Sequence, residues 1–147
     1  MVEIEEIKKI SIFQNLTDNE IEKIKHLFHE KDYPRGRTLF FEGMSGGIMY
    51  LVKSGTIEIF KKIEGEDVLL AIIGAGSFLG EMSLIDDEPR SAGARVAENT
   101  VVLVITKKSF QEILKISPEV SNKILMSLLT ILSQRLRETN RKLSAKS

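Results

Sequence analysis

The sequence predicts a mainly β fold with flanking α elements. We expect an antiparallel β jelly roll (a double-stranded β-helix) between N-terminal helices and a long C-terminal dimerisation helix. Three observations predict it. Apolar residues recur at helical spacing at both ends of the chain. Between them, from Lys31 to Ile105, the period drops toward two and glycines punctuate the chain. No helical pattern separates these short strands, which argues for antiparallel layers and against a parallel βαβ sheet.

Taken in order, Ile4, Ile7 and Ile10 have helical spacing. Thr17-Asp18-Asn19-Glu20 is a capping box: the Thr17 oxygen accepts from an orphan amide and Glu20 reaches back. Behind it Ile21, Ile24, Leu27 and Phe28 form one apolar stripe, so a helix is predicted over 18–28. Thr38-Leu39-Phe40-Phe41 reads as a short strand. Ile48 to Lys53 and Thr56 to Lys61 read as two strands of a tight hairpin turning at Ser54-Gly55. Val68 to Ile73 and Val101 to Ile105 have the continuous apolar character of buried strands, and Ala92 to Val96 is a shorter one. Thr106 can cap a helix over 107–115, and Ser117 with Pro118 opens another that runs to about Leu143. Along it Leu125, Leu129, Leu132, Leu136, Thr139 and Leu143 follow a 4-3-4-3-4 spacing, a seam of the coiled-coil kind. Val120, Ile124, Leu128 and Ile131 form a second stripe. One stripe can pack on the body while the other meets a partner.

Composition narrows the function. The 147 residues are 42% hydrophobic and 29% charged, a globular balance. No apolar run approaches the roughly 20 residues of a membrane span, and no secretory leader is evident, so a soluble, cytoplasmic protein is expected. Cysteine is absent, which excludes disulfides, thiolate catalysis and cysteine-ligated zinc. Lys plus Arg and Asp plus Glu both number 21, and this neutrality argues against general nucleic-acid binding.

The chemistry concentrates between Gly76 and Ala92. Gly80 permits positive φ and close approach to a ligand. Met82 to Ile85 can form one helical turn with its free amides pointing outward, and Pro89 stops it continuing. Arg90 offers the permanent charge and planar donor fork that suit a phosphate diester. Glu81, when ionised, can accept from a sugar hydroxyl. The same two residues could equally form a plain ion pair over a loop, and the residues alone leave both readings open.

Gly80-Glu81-x-Ser83-Leu84 followed by Pro89-Arg90-Ser91-Ala92 resembles the phosphate-binding cassette of the cyclic nucleotide-binding domain family. Gly36, Gly43 and Gly55 stand where that family has turn glycines, and Gln134 to Asn140 resembles the dimer helix of its catabolite-activator-like members. The resemblance covers nearly the whole chain. It implies one domain over 1–147, with N-terminal helices in 1–30, a jelly roll in 31–106 whose cassette is 78–92, and C-terminal helices in 107–143. It further implies that Arg90 binds the exocyclic phosphate oxygens and Glu81 the ribose 2′-hydroxyl. The amides of Met82, Ser83 and Ala92 and the hydroxyl of Ser91 would support them, and Thr139 and Asn140 would contact the base. The implied ligand is cyclic AMP ahead of cyclic GMP, with no cofactor and no metal. The implied assembly is a homodimer acting on an unidentified effector protein, with no membrane contact. Too few residues follow Leu143 for a helix-turn-helix, so direct DNA binding is not expected. Two alternatives are the effector half of a cyclic AMP-responsive transcription regulator and a dimerisation module with a degenerate pocket. The family often has Thr where this chain has Gly93, which predicts a wider, looser strand edge.

Other constellations fall short. His26 and His29, with Glu22 and Glu30 nearby, read as solvated residues three apart on a helix, and the strands are expected to carry no histidine of the kind a catalytic metal jelly roll needs. Gly74-Ala75-Gly76 with Gly80 is not followed by the helix of a dinucleotide loop. Arg135, Arg137, Arg141, Lys142 and Lys146, against Glu138, read as a solvated helix face that could alternatively touch an acidic partner or nucleic acid. No nucleophile is paired with a base, so binding without turnover is expected.

Overall fold

A computed structural model describes residues 2–145; Lys146 of the basic tail lies outside them. Helices α1 (Ile4–Lys8) and α2 (Asp18–Glu22) lead the chain. The capping box forms: Thr17 Oγ1 accepts from the Glu20 amide at 3.2 Å, and Glu20 Oε1 accepts from the Thr17 amide at 2.8 Å. The helix expected over 18–28 ends early. After Glu22 the chain tightens into a 3-10 turn at Lys25–Leu27, and Phe28 is already extended. The tightening lets Ile21, Ile24 and Phe28 all enter the core.

Two four-stranded antiparallel sheets follow. One has the order β1 (His29–Tyr33), β8 (Thr100–Thr106), β3 (Ile48–Ser54), β6 (Phe78–Leu79). The other has the order β2 (Thr38–Phe40), β7 (Gly93–Val96), β4 (Thr56–Ile63), β5 (Glu66–Gly74). The strand β1 has no counterpart in the sequence reading. It is an edge strand of polar residues, mostly exposed, so no alternation marks it.

The hairpin expected at Ser54-Gly55 is not one. There β3 and β4 part into different sheets, and Gly55 is the corner. Its φ is +96°, and a Cβ there would stand 2.2 Å from Thr100 Oγ1 and 2.7 Å from the Asn99 carbonyl oxygen, so only glycine fits. The true hairpin joins β4 to β5 across Glu64-Gly65, both at positive φ, which matches the twist of the strands. The strand expected to be buried over 68–73 is instead the exposed edge β5, with Ile72 61% exposed. A continuous apolar run cannot distinguish a strand covered by its own chain from one left open on the surface.

The expected loose edge at Gly93 is closed. Gly93 pairs with Phe60, and a Cβ there would meet the Phe60 ring at 2.6 Å. The ring fills the space that a larger residue would need, and the Arg95 guanidinium lies 4.6 Å from its centroid.

The first sheet is covered on both faces. Met49 and Leu51 of β3 join Leu103 and Ile105 in a core shared with α1, α2, α4 (Lys107–Leu114) and α5 (Pro118–Ala145). Tyr50 and Val52 face the second sheet and pack with Phe40, Ile57, Leu79 and Ala94. On α5, Val120, Ile124 and Leu128 are buried against the body. Leu125, Leu129, Leu136 and Leu143 are exposed, whereas Leu132 of the expected seam turns partly onto the body. No helix among the described residues is long and apolar enough to cross a membrane.

Candidate functional site

The short strand β6 ends at Gly80, whose φ of +86° turns the chain back over β3. A Cβ there would lie 2.7 Å from the Ile48 carbonyl oxygen and 2.8 Å from Arg90 Nη1, so glycine brings the loop against the arginine. Glu81 then starts the single turn α3 (Met82–Ile85), and the chain returns through Pro89 to Arg90. The main chain of Arg90 is pinned: its amide donates to the Met44 carbonyl and its carbonyl accepts from the Gly43 amide, each at 2.8 Å.

Three polar residues of this loop, Glu81, Ser83 and Arg90, are buried. Arg90 Nη2 donates to the Ile48 carbonyl at 2.9 Å and Nη1 donates to Ser83 Oγ at 3.1 Å. Its guanidinium carbon sits 4.1 Å from the centroid of the Phe40 ring. Its buried Nε has no hydrogen-bond partner. Burial pulls the guanidinium pKa down, against the opposing pull of Tyr50 and Glu81. Glu81 pairs elsewhere: its Oε1 accepts from Arg135 Nη1 of α5 at 3.4 Å. Arg135 Nη2 also donates to Ser77 Oγ and to the Phe78 carbonyl, each at 3.0 Å, and the guanidinium stacks 4.5 Å from the Phe78 ring centroid. Of the two readings open for Glu81 and Arg90, the plain ion pair between them is therefore not the arrangement found.

These groups surround a cavity of about 640 Å³. Gly80, Glu81, Met82, Ser83, Arg90, Ser91, Ala92 and Thr139 all line it. Asn140 does not, and it is exposed: one residue further along a helix is about 100° further round. The cavity has walls that the sequence reading did not assign. Phe40 forms part of its floor, and Arg135, Glu138 and Lys142 join Thr139 on the α5 side. Those four share one helix face by their spacing, a signal present in the sequence but submerged in what reads as a solvated charge run. His26 and His29 share no helix: the first is in the 3-10 turn and the second opens β1, so a strand does carry a histidine. Both are exposed, and no group of three or more His, Asp or Glu among the described residues could hold a metal ion.

The family model of the cyclic nucleotide-binding domain matches residues 30–117. The chain is 32% identical to the cyclic AMP receptor protein of Thermus thermophilus over 135 residues, covering 91% of this chain and 61% of the relative. It is 30% identical to the CRP-like cAMP-activated global transcriptional regulator of Mycobacterium tuberculosis, covering 94% of this chain and 60% of the relative. The chain thus spans about three-fifths of the length of these regulators. Among solved structures, a cyclic nucleotide-binding domain from Methylobacillus flagellatus superposes with a TM-score of 0.86 at 30% identity, over 98% of this chain and 82% of that one. With the cassette geometry, the jelly roll and the matched segment in agreement, this chain belongs to the cyclic nucleotide-binding domain family.

Proposed function

We propose that this chain is a non-catalytic sensor that binds a cyclic nucleotide, cyclic AMP in preference to cyclic GMP, and signals through α5. The observation that carries this reading is Arg90. A guanidinium buried with an unpartnered Nε, and with no carboxylate bonded to it among the described residues, is costly unless an anion completes it. The residue-by-residue resemblance assigns that anion as the cyclic phosphate, with Ser91 and the amides of Met82, Ser83 and Ala92 supporting it. Glu81 takes the ribose 2′-hydroxyl, and Thr139 faces the base. Cyclic AMP is favoured because the two similar regulators from Thermus thermophilus and Mycobacterium tuberculosis are named for it.

The output follows from the same contacts. A sugar hydroxyl on Glu81 changes the carboxylate that holds Arg135, and with it the seating of α5. A ligand shifts this equilibrium only by its differential affinity for the two seatings. The exposed Leu125, Leu129, Leu136 and Leu143 form the face for a second copy of the chain, giving a homodimer in the cytoplasm that acts on an effector protein. A second reading, that this is the effector part of a longer cyclic AMP-responsive transcription regulator, is favoured by the span of about three-fifths of the relatives.

Isothermal calorimetry on protein unfolded and refolded to strip bound ligand tests the site. Saturable binding of about one cyclic AMP per chain, tighter than cyclic GMP, is expected. No heat with either nucleotide at two temperatures would defeat the reading.

A further inference from the structure

The Ser83 hydroxyl is fully occupied. It donates to the Gly80 carbonyl at 2.8 Å and accepts from the Gly47 amide and from Arg90 Nη1, each at 3.1 Å. A serine hydroxyl has one donor and two acceptor positions, so none is left for a ligand. Behind it the Gly46 main chain packs so closely that a Cβ on Gly46 would fall 2.1 Å from Ser83 Cβ, which leaves the hydroxyl no room to swing backward.

We propose that Ser83 is a positioning residue whose hydroxyl fixes the Arg90 guanidinium in the orientation that receives the ligand phosphate. The proposal rests on the cyclic nucleotide reading above. Nη1 is held by Ser83, Nη2 by the Ile48 carbonyl, and the plane of the group by the Phe40 ring. The orientation of a flexible arginine is thereby settled before any ligand arrives, which spares the ordering cost at binding. Of the five N–H donors two are used in this way, so each Nη keeps one hydrogen for a ligand, while Nε is buried without a partner. Ser83 therefore acts on the ligand through Arg90 by its side chain, separately from any contact its amide makes.

The experiment compares wild-type and Ser83→Ala protein in binding cyclic AMP and its two phosphorothioate diastereomers, which report on the exocyclic oxygens one at a time. Ser83→Ala is expected to weaken cyclic AMP about tenfold, the scale of one hydrogen bond to a charged group, and to shrink the preference between the diastereomers. In an Arg90→Lys background the same substitution is expected to change affinity less than about twofold, because the group it orients is gone. A general structural role would instead give the same loss in both backgrounds and leave the diastereomer preference intact, and either result overturns the proposal. The Arg90 Nε–H resonance of the wild-type chain gives a reading that does not depend on the variant's folding. It should move on adding cyclic AMP, and a stationary resonance in protein that binds the nucleotide overturns the assignment. Failure of the wild-type chain to bind any cyclic nucleotide would overturn the site reading itself, a result distinct from either of these.

Discussion

Arg90 and Arg135 both line one cavity, and each stacks on a phenylalanine ring. Arg90 is buried, bonded only to neutral oxygens, and keeps a donor without a partner. Arg135 has its side chain 32% exposed and faces a carboxylate at 3.4 Å. The first arrangement sacrifices stability, because a desolvated cation without a counter-ion destabilises the fold it sits in. The second is a long ion pair between a partly exposed arginine and a buried carboxylate, backed by the hydrogen bonds to Ser77 and the Phe78 carbonyl. One arginine thus lacks a counter-ion, and the other is a latch that ties α5 to the cassette.

Breaking the first arrangement should give the largest effect. Arg90→Ala is expected to weaken cyclic AMP binding by about 2–5 kcal/mol, the cost of losing one partner of a buried charge contact. Its thermal midpoint should stay near or above that of the wild type, since no ion pair is lost with the guanidinium. A variant that binds normally, or that loses stability in step with affinity, would show that Arg90 is a structural residue.

The next effect concerns the outer face of α5. Replacing Leu129 and Leu136 by Gln removes two exposed apolar side chains that touch no core of their own chain. Sedimentation should show a dimer for the wild type and a monomer for the double variant, with an unchanged melting profile for the isolated chain. At about 1.5–3 kcal/mol for each large apolar group buried, association should weaken by at least a hundredfold. Equal sedimentation of the two proteins would mean that this face does not meet a second copy.

Arg135→Gln should act more gently, by about 1–2 kcal/mol: the arginine is partly exposed, but its loss leaves the buried Glu81 carboxylate without that donor. Amide exchange in α5 after Leu132 should quicken without ligand, while exchange around Val120 to Leu128, seated on the core, stays slow. Uniform exchange along the helix would remove the latch.

The contrast between these two arginines also marks how far the sequence is legible. The cassette could be read because its residues are contiguous and their types are diagnostic: Gly80, Glu81, Ser83 and Arg90 lie within one loop. Arg135 could not, because its role depends on which face of α5 meets Ser77 and Glu81 across the fold. The helical ends were legible through capping boxes and stripes, which are local. Six of the eight strands were legible, without β1 and β6, but their partners were not. Gly55 reads as a hairpin and Val68 to Ile73 as a buried strand because the sequence carries local geometry, whereas sheet membership and edge position are decided by pairing over long separations.

The near end of α5 offers the last and smallest break. Lys123 Nζ donates to Glu20 Oε1 at 2.8 Å, tying α5 to α2 far from the cassette. The hydrogen bond from Lys123, then the one from the Thr17 amide, holds the Glu20 carboxyl below its ordinary pKa. A carboxylate whose pKa is lower in the folded chain than in the unfolded one adds stability above its unfolded value and loses it as pH falls through the folded value. Glu20→Gln should therefore lower stability by about 1 kcal/mol near pH 7. The gap between variant and wild type should narrow as pH drops below the ordinary carboxylate range. Cyclic AMP affinity should not change, because this tie holds the helix where Val120 and Ile124 are already buried. Thermal melts across that range, with calorimetry at neutral pH, check both expectations. A variant that binds cyclic AMP differently would mean that the whole of α5 moves as one body, and that the helix is not divided into an anchored half and a latched half.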